Sequence, residues 1–148
     1  MYATVIAILA VFSAPSAAAG PPEPSSGTFG PTGAPAAVSA RTADGNTFID
    51  LTARPGAFTG TFTGTYSEDL RIVVHGDGST NFSAELTCQC IVDGKSGTIT
   101  IRLNGTGTPA GFEAHYRITG GTGALAGLHG QGTLGGPAGT YAGEHHFD

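Results

Sequence analysis

Cys88 and Cys90 are the only cysteines in the chain, and a single residue, Gln89, separates them. A pair so placed can form a disulfide, lend two thiolates to a metal, or sit as two small buried hydrophobes. In a regular strand, Cα atoms at i and i+2 lie about 6.6 Å apart, near the upper limit for a disulfide. A bridge would therefore need a bulge or turn and would be strained. Two thiolates without two further ligands make no zinc centre. The reading that fits a regular strand is two buried thiols, with a strained Cys88–Cys90 bridge as the alternative.

The five histidines offer the next chemistry: 75, 115, 129, 145 and 146. His145 and His146 are neighbours on an expected strand, so they face opposite ways and cannot chelate together. His75, His115 and His146 read as solvated surface groups. His145 alternates in phase with Tyr141 and Phe147, which makes it an interior histidine in need of a hydrogen-bond partner such as Tyr66 or Tyr116. No metal site and no cofactor are expected. The threonines at 59, 61, 63 and 65 form a comb. The plainer reading of it is β-branched residues on a solvated strand face.

The elements that must hold these residues are strands. The chain has 148 residues with 25 Gly and 9 Pro, and only 11% are charged. Glycine and proline this dense leave no room for a helical bundle. Six Lys and Arg against eleven Asp and Glu give a net charge of −5. That balance is unsuited to a row of phosphates, so nucleic acid is excluded as a partner. Turn signals recur at Asp44-Gly45, Pro55-Gly56, Asp77-Gly78, Asp93-Gly94, 109–111, 120–123 and 135–139. Between them, period-2 alternation predicts strands near 47–53, 57–66, 70–75, 80–92, 97–106, 111–118, 124–134 and 139–147. The expected fold class is all-β, a single eight-stranded antiparallel up-and-down barrel closed by short connections.

Residues 1–19 read as a secretory signal: Val5 to Phe12 is apolar but too short to span a bilayer, and 17–19 are all alanine. Residues 20–37 carry five prolines and read as a Pro/Gly-rich tether, within which Gly27-Thr28-Phe29 is able to add a short edge strand. Residues 38–148 form the β-barrel domain. The expected location is secreted or periplasmic, with no membrane span in the later chain.

The stretch Gly120-Gly121-Thr122-Gly123-Ala124-Leu125-Ala126-Gly127-Leu128-His129-Gly130-Gln131-Gly132 resembles a signature of the allene oxide cyclase-like barrel superfamily. The likeness is closest to small bacterial members known only as a domain of unknown function. The runs 58–66, 93–98 and 143–147 agree in order and spacing. The resemblance implies an eight-stranded barrel over residues 47–148. From the plant members it implies carboxylates inside that barrel that steer a reactive intermediate. The inward set read from strands two to eight of the alternation contains no Asp or Glu, since Glu85, Glu113 and Glu144 all fall on the polar face.

Within the expected barrel, inward glycines at 60, 64, 105 and 143 suggest open space. Phe58, Phe62, Tyr66, Phe112, Tyr116, Tyr141 and His145 would line it. An apolar cavity with a few polar tips suits a small apolar or aromatic molecule. The expected function is therefore a binding module. One alternative is an isomerase or cyclase using Tyr116, Tyr141 and His145; another is a solid barrel with a structural or surface-interaction role.

Overall fold

In a computed structural model of the chain, residues 18–136 and 139–148 are described; the expected leader falls almost wholly outside them. The elements are β1 (Glu23–Pro31), β2 (Ala37–Ala43), β3 (Asn46–Gly60), β4 (Thr63–Val74), β5 (Thr80–Val92), β6 (Lys95–Thr108), β7 (Gly111–Gly121), a 3-10 turn (Gly123–Leu125), β8 (Leu128–Gly135) and β9 (Thr140–Phe147). All pairings are antiparallel, in the order β1-β9-β8-β7-β6-β5-β4-β3-β2, and β1 also pairs with β3. The hydrogen bonding thus runs round as a ring. The sheet has nine strands where eight were expected. The strands read over 47–53, 57–66 and 70–75 are two, β3 and β4, and two strands are added: β2, and β1 from 20–37, the segment read as a tether with a short edge strand at 27–29, where β1 pairs with both β9 and β3.

Turn chemistry explains the hairpins. Asp44 takes φ 52 and Gly45 φ 77, while Asp93 takes φ 51 and Gly94 φ 74, all in degrees. Each pair supplies the two successive positive φ values of a two-residue hairpin loop. Asp77 accepts the Ser79 N–H at 2.9 Å and its hydroxyl at 2.6 Å, which fixes the β4–β5 loop.

One expected turn is absent. Pro55-Gly56 lies inside β3, and the chain reverses instead at Thr61-Phe62. A residue's N–H and C=O point to the same side of a strand, and the Pro55 carbonyl accepts the Thr32 N–H at 2.9 Å on the outer edge of β3. The missing proline donor falls on that edge, where β1 gives way to β2, so the β3–β4 ladder loses nothing. The turn at 61–62 is held from across the ring: the Tyr141 hydroxyl donates to the Thr59 carbonyl at 3.0 Å and accepts the Phe62 N–H at 2.9 Å.

A bulge divides β3. Its register against β4 slips between Leu51 and Arg54, and Ala53 takes a φ of 49°. The extra residue inverts the alternation, so that Ile49 and Leu51 before it and Arg54, Gly56 and Phe58 after it all share the inner face. The Asp69 carboxylate accepts the Ala53 N–H at 2.8 Å and pins the bulge.

The inner face pairs aromatic rings with glycines. Tyr66 lies opposite Gly56, Tyr116 opposite Gly132, Tyr141 opposite Gly27 and Phe82 opposite Gly105. A Cβ added at Gly56 would fall 2.1 Å from the Tyr66 ring, and one at Gly105 2.5 Å from that of Phe82. The inward glycines therefore do not leave vacant space; rings or neighbouring backbone occupy it. At Gly60 and Gly64 a Cβ would strike a backbone oxygen at 2.3 and 2.0 Å.

Candidate functional site

The ring interior differs at its two ends. One end is solid. Phe58, Phe62, Tyr66, Tyr116, Tyr141 and His145 are all buried there, with Phe62 and Tyr141 stacked at 5.2 Å. Cys88 and Cys90 are fully buried and disulfide-bonded, with their Cα atoms 5.4 Å apart. The bridge, and not a pair of free thiols, is what this fold presents. Leu125, from the turn before β8, is also completely buried.

The hydroxyls of Tyr116 and Tyr141 are committed to the framework. Tyr116 shares a hydrogen bond of 3.0 Å with Ser25 of β1, and Tyr141 stitches the β3–β4 turn. Burial raises the hydroxyl pKa of both above the usual tyrosine value, and that of Tyr66 to about 12, so all three stay neutral. His145 Nε2 lies 2.9 Å from Asp93 Oδ2, and with Glu23 these three groups bring ligand atoms within 4.8 Å of one another. The other ring nitrogen, Nδ1, is buried without a partner. A histidine that binds a metal through Nε2 normally donates Nδ1–H to an acceptor. The His145–Asp93 hydrogen bond ties β9 to the β5–β6 turn. On the outer surface His129 stacks on His146 at 5.2 Å and meets Asp148 at 2.8 Å.

The other end is hollow. A cavity of about 800 Å³ opens between the β6–β7 turn and the end of β1, and every ring strand except β9 lends it a residue. Its walls are Leu70, Ile72, Phe82, Leu103, Phe112 and Leu134. Phe112 meets Phe82 and Phe29 edge-on, at 5.9 and 6.2 Å. Of the seven residues expected to line the barrel interior, Phe112 alone is on the wall of this cavity; the other six are buried at the solid end.

Two charged side chains share the cavity wall. Arg54 and Glu68 are direct cross-strand partners, and Arg54 Nε donates to Glu68 Oε2 at 2.7 Å while Nη2 donates to the same oxygen. The Glu68 side chain is 7% exposed and that of Arg54 25%. Among the described residues, Glu68 Oε1 and Arg54 Nη1 take part in no hydrogen bond. The bulge makes this arrangement: without the extra residue, Arg54 would face outward. A carboxylate therefore stands inside the ring, where the inward set read from the alternation contained none.

A family model described as "Protein of unknown function (DUF3224)" matches residues 25–146. The chain belongs to the DUF3224 family. A crystal structure of a DUF3224 protein of unknown function from Shewanella oneidensis MR-1 is similar in fold, with a TM-score of 0.67 at 15% identity over 86% of this chain and 98% of that one. No curated protein matches the chain. The DUF3224 match begins at Ser25, so it takes in β1, the strand that closes the ring.

Arg54 and Glu68 are the site residues that sequence reasoning missed. Both lay in stretches read as turns, at Pro55-Gly56 and between strands ending at 66 and starting at 70. The available signal was parity: Glu68 falls on the same alternation as Tyr66, Leu70 and Ile72.

Proposed function

We propose that this chain is an exported binding protein that holds a small, largely apolar molecule inside a closed β-barrel. The ring of β1 and β3–β9 reads as an eight-stranded barrel with β2 laid along the outer edge of β3. The sequence resemblance to the allene oxide cyclase-like superfamily supports that reading, and the apolar leader supports export. The observation that carries the function is the cavity. Its volume lies in the range of small-molecule sites, its walls are aliphatic and aromatic, and its polar groups are few and fixed. A strained bulge that re-aims one side chain into such a cavity is what binding and active sites commonly use. A catalytic role would fall to Arg54 and Glu68, because Tyr116, Tyr141 and His145 lie at the solid end, away from the cavity wall.

The chain contains no tryptophan, so Ile72→Trp would put a single reporter in the cavity wall. Addition of the neutral dye N-phenyl-1-naphthylamine should quench its emission saturably, at one dye per chain. A folded Ile72→Trp protein whose emission ignores the dye would refute the proposal.

A further inference from the structure

Strand β2 forms a hairpin with β3 and, among the described residues, pairs with no other strand. Its sequence is Ala37-Val38-Ser39-Ala40-Arg41-Thr42-Ala43, and every residue but the last is exposed, Val38 to 62%. The Asp44-Gly45 loop sets which of its backbone groups are free. In a two-residue hairpin loop the flanking residues, here Ala43 and Asn46, exchange hydrogen bonds, and bonded pairs recur at every second residue. Ser39, Arg41 and Ala43 therefore turn their N–H and C=O groups to β3. Val38, Ala40 and Thr42 turn theirs to the open side.

Such an edge is commonly blunted by a charge, a proline or a bulge. β2 carries one charge, and it is held off the edge: the Arg41 guanidinium lies 4.1 Å from the ring centroid of Phe48, its partner on β3. The strand is also symmetric in kind about Ala40. Ser39 and Arg41 are polar, Val38 and Thr42 are β-branched and alike in shape, and Ala37 and Ala43 close both ends. A two-fold axis through Ala40 sets each of these against its like from a second copy, with Arg41 opposite a serine. An axis through Arg41 would set two like charges face to face. The Ala40 axis also falls on a residue whose backbone is free. The residue pairs 38 with 42, 40 with 40 and 42 with 38 can then each exchange two hydrogen bonds across it. Composition and hydrogen-bond phase select the same centre.

We propose that β2 is the contact of a two-fold homodimer, antiparallel to its copy and centred on Ala40, which joins two sheets edge to edge. Seven residues a side fall short of the roughly 20–30 of a standard interface, so the dimer is weak. Sedimentation equilibrium of the purified protein should show monomer at about 10 μM and a growing dimer fraction towards about 1 mM. Ala40→Pro removes a donor from the open side of each copy and none from the β3 ladder. With two intermolecular bonds lost, dimerisation should weaken at least about ten-fold. Ala40→Lys keeps the backbone donors, sets two ammonium groups face to face at the axis, and should weaken it too. Cross-linking with oxidised glutathione reads the register. Ala40→Cys should give a disulfide-linked dimer; Thr42→Cys, whose counterpart lies four residues along the partner strand, should not. A monomer at every concentration would overturn the proposal and leave the edge to a strand from a different protein. A dimer indifferent to both Ala40→Pro and Ala40→Lys, or a Thr42→Cys protein that cross-links as readily as Ala40→Cys, would overturn it as well.

Discussion

Breaking the Arg54–Glu68 pair from one side should cost far more than removing it whole. At an effective dielectric constant of about 20, opposite charges about 4 Å apart attract by about 4 kcal/mol. Desolvation of the two groups offsets most of that gain, so the pair contributes little net stability. Arg54→Met removes the attraction and leaves the Glu68 carboxylate unpaired and largely buried, with its side chain only 7% exposed. A loss of about 3 kcal/mol is expected, the lower end for an orphaned buried charge, because the cavity admits some water. Glu68→Leu leaves Arg54 with a quarter of its side chain in reach of solvent. The loss there should be about 1–2 kcal/mol, since a long cationic side chain can turn its head to water. The double variant should come within about 1 kcal/mol of the parent, because it leaves no charge unpaired. Urea denaturation followed by far-ultraviolet circular dichroism gives all four corners of the cycle. Additive losses, with the double variant the least stable, would refute the reasoning. So would an Arg54→Met loss below about 1 kcal/mol, too small for a stranded buried charge.

At Gly132 a new Cβ would lie 2.2 Å from the Ala142 carbonyl oxygen, whereas at Gly30 it would meet nothing within 4 Å. Gly132→Ala should therefore lose more than about 2 kcal/mol through overpacking, and Gly30→Ala should stay within about 0.5 kcal/mol of the parent in the same urea assay. The raised pKa values of Tyr66, Tyr116 and Tyr141 also predict a pH dependence. The unfolded chain ionises near pH 10 while the folded chain holds its protons, so stability is full below pH 10 and falls from there towards the Tyr66 value of about 12. Phenolate absorbance at 295 nm should therefore rise together with loss of the β-sheet signal; ionisation of these tyrosines at pH 10 in a protein that stays folded would contradict their burial.

Alternation made most of the inner face legible. The inward sets of β5, β6, β7 and β9 follow directly from period 2, since a slip of one residue would expose every apolar side chain. The face of Phe58, Phe62 and Tyr66 was legible even though the strand carrying it was not. Those residues belong to two strands and a turn, but a two-residue loop preserves parity, so they still point inward. The bulge was not legible. It is a change of phase pinned by an Asp69 hydrogen bond from the next strand, and Ala53 itself gives no sign of a positive φ. The cavity was expected from the glycines and arises elsewhere, because each inward glycine is half of a pair whose other half is visible only once the register is known. β1 was legible only as a short edge strand at 27–29, because the rest of it reads as a tether: a strand with neighbours on both sides can form from Ser, Gly and Thr that would not hold one alone.

The meeting of β1 with β9 also sets the order in which the molecule can be completed. Glu23 pairs with His145 and Thr28 with Thr140, contacts that span almost the whole described chain. Loops so long are entropically late to close, and topologies dominated by distant pairings fold slowly. The meander from β2 to β8 can zip locally, hairpin by hairpin. Until the eight residues of β9 are available, however, β8 keeps a bare edge and β1 has only a few residues of β3 to hold. A chain supplied from its N-terminus would therefore stay open-edged until β9 emerged. A truncation within β9 should yield a protein prone to edge-to-edge aggregation rather than a slightly smaller version of the same ring.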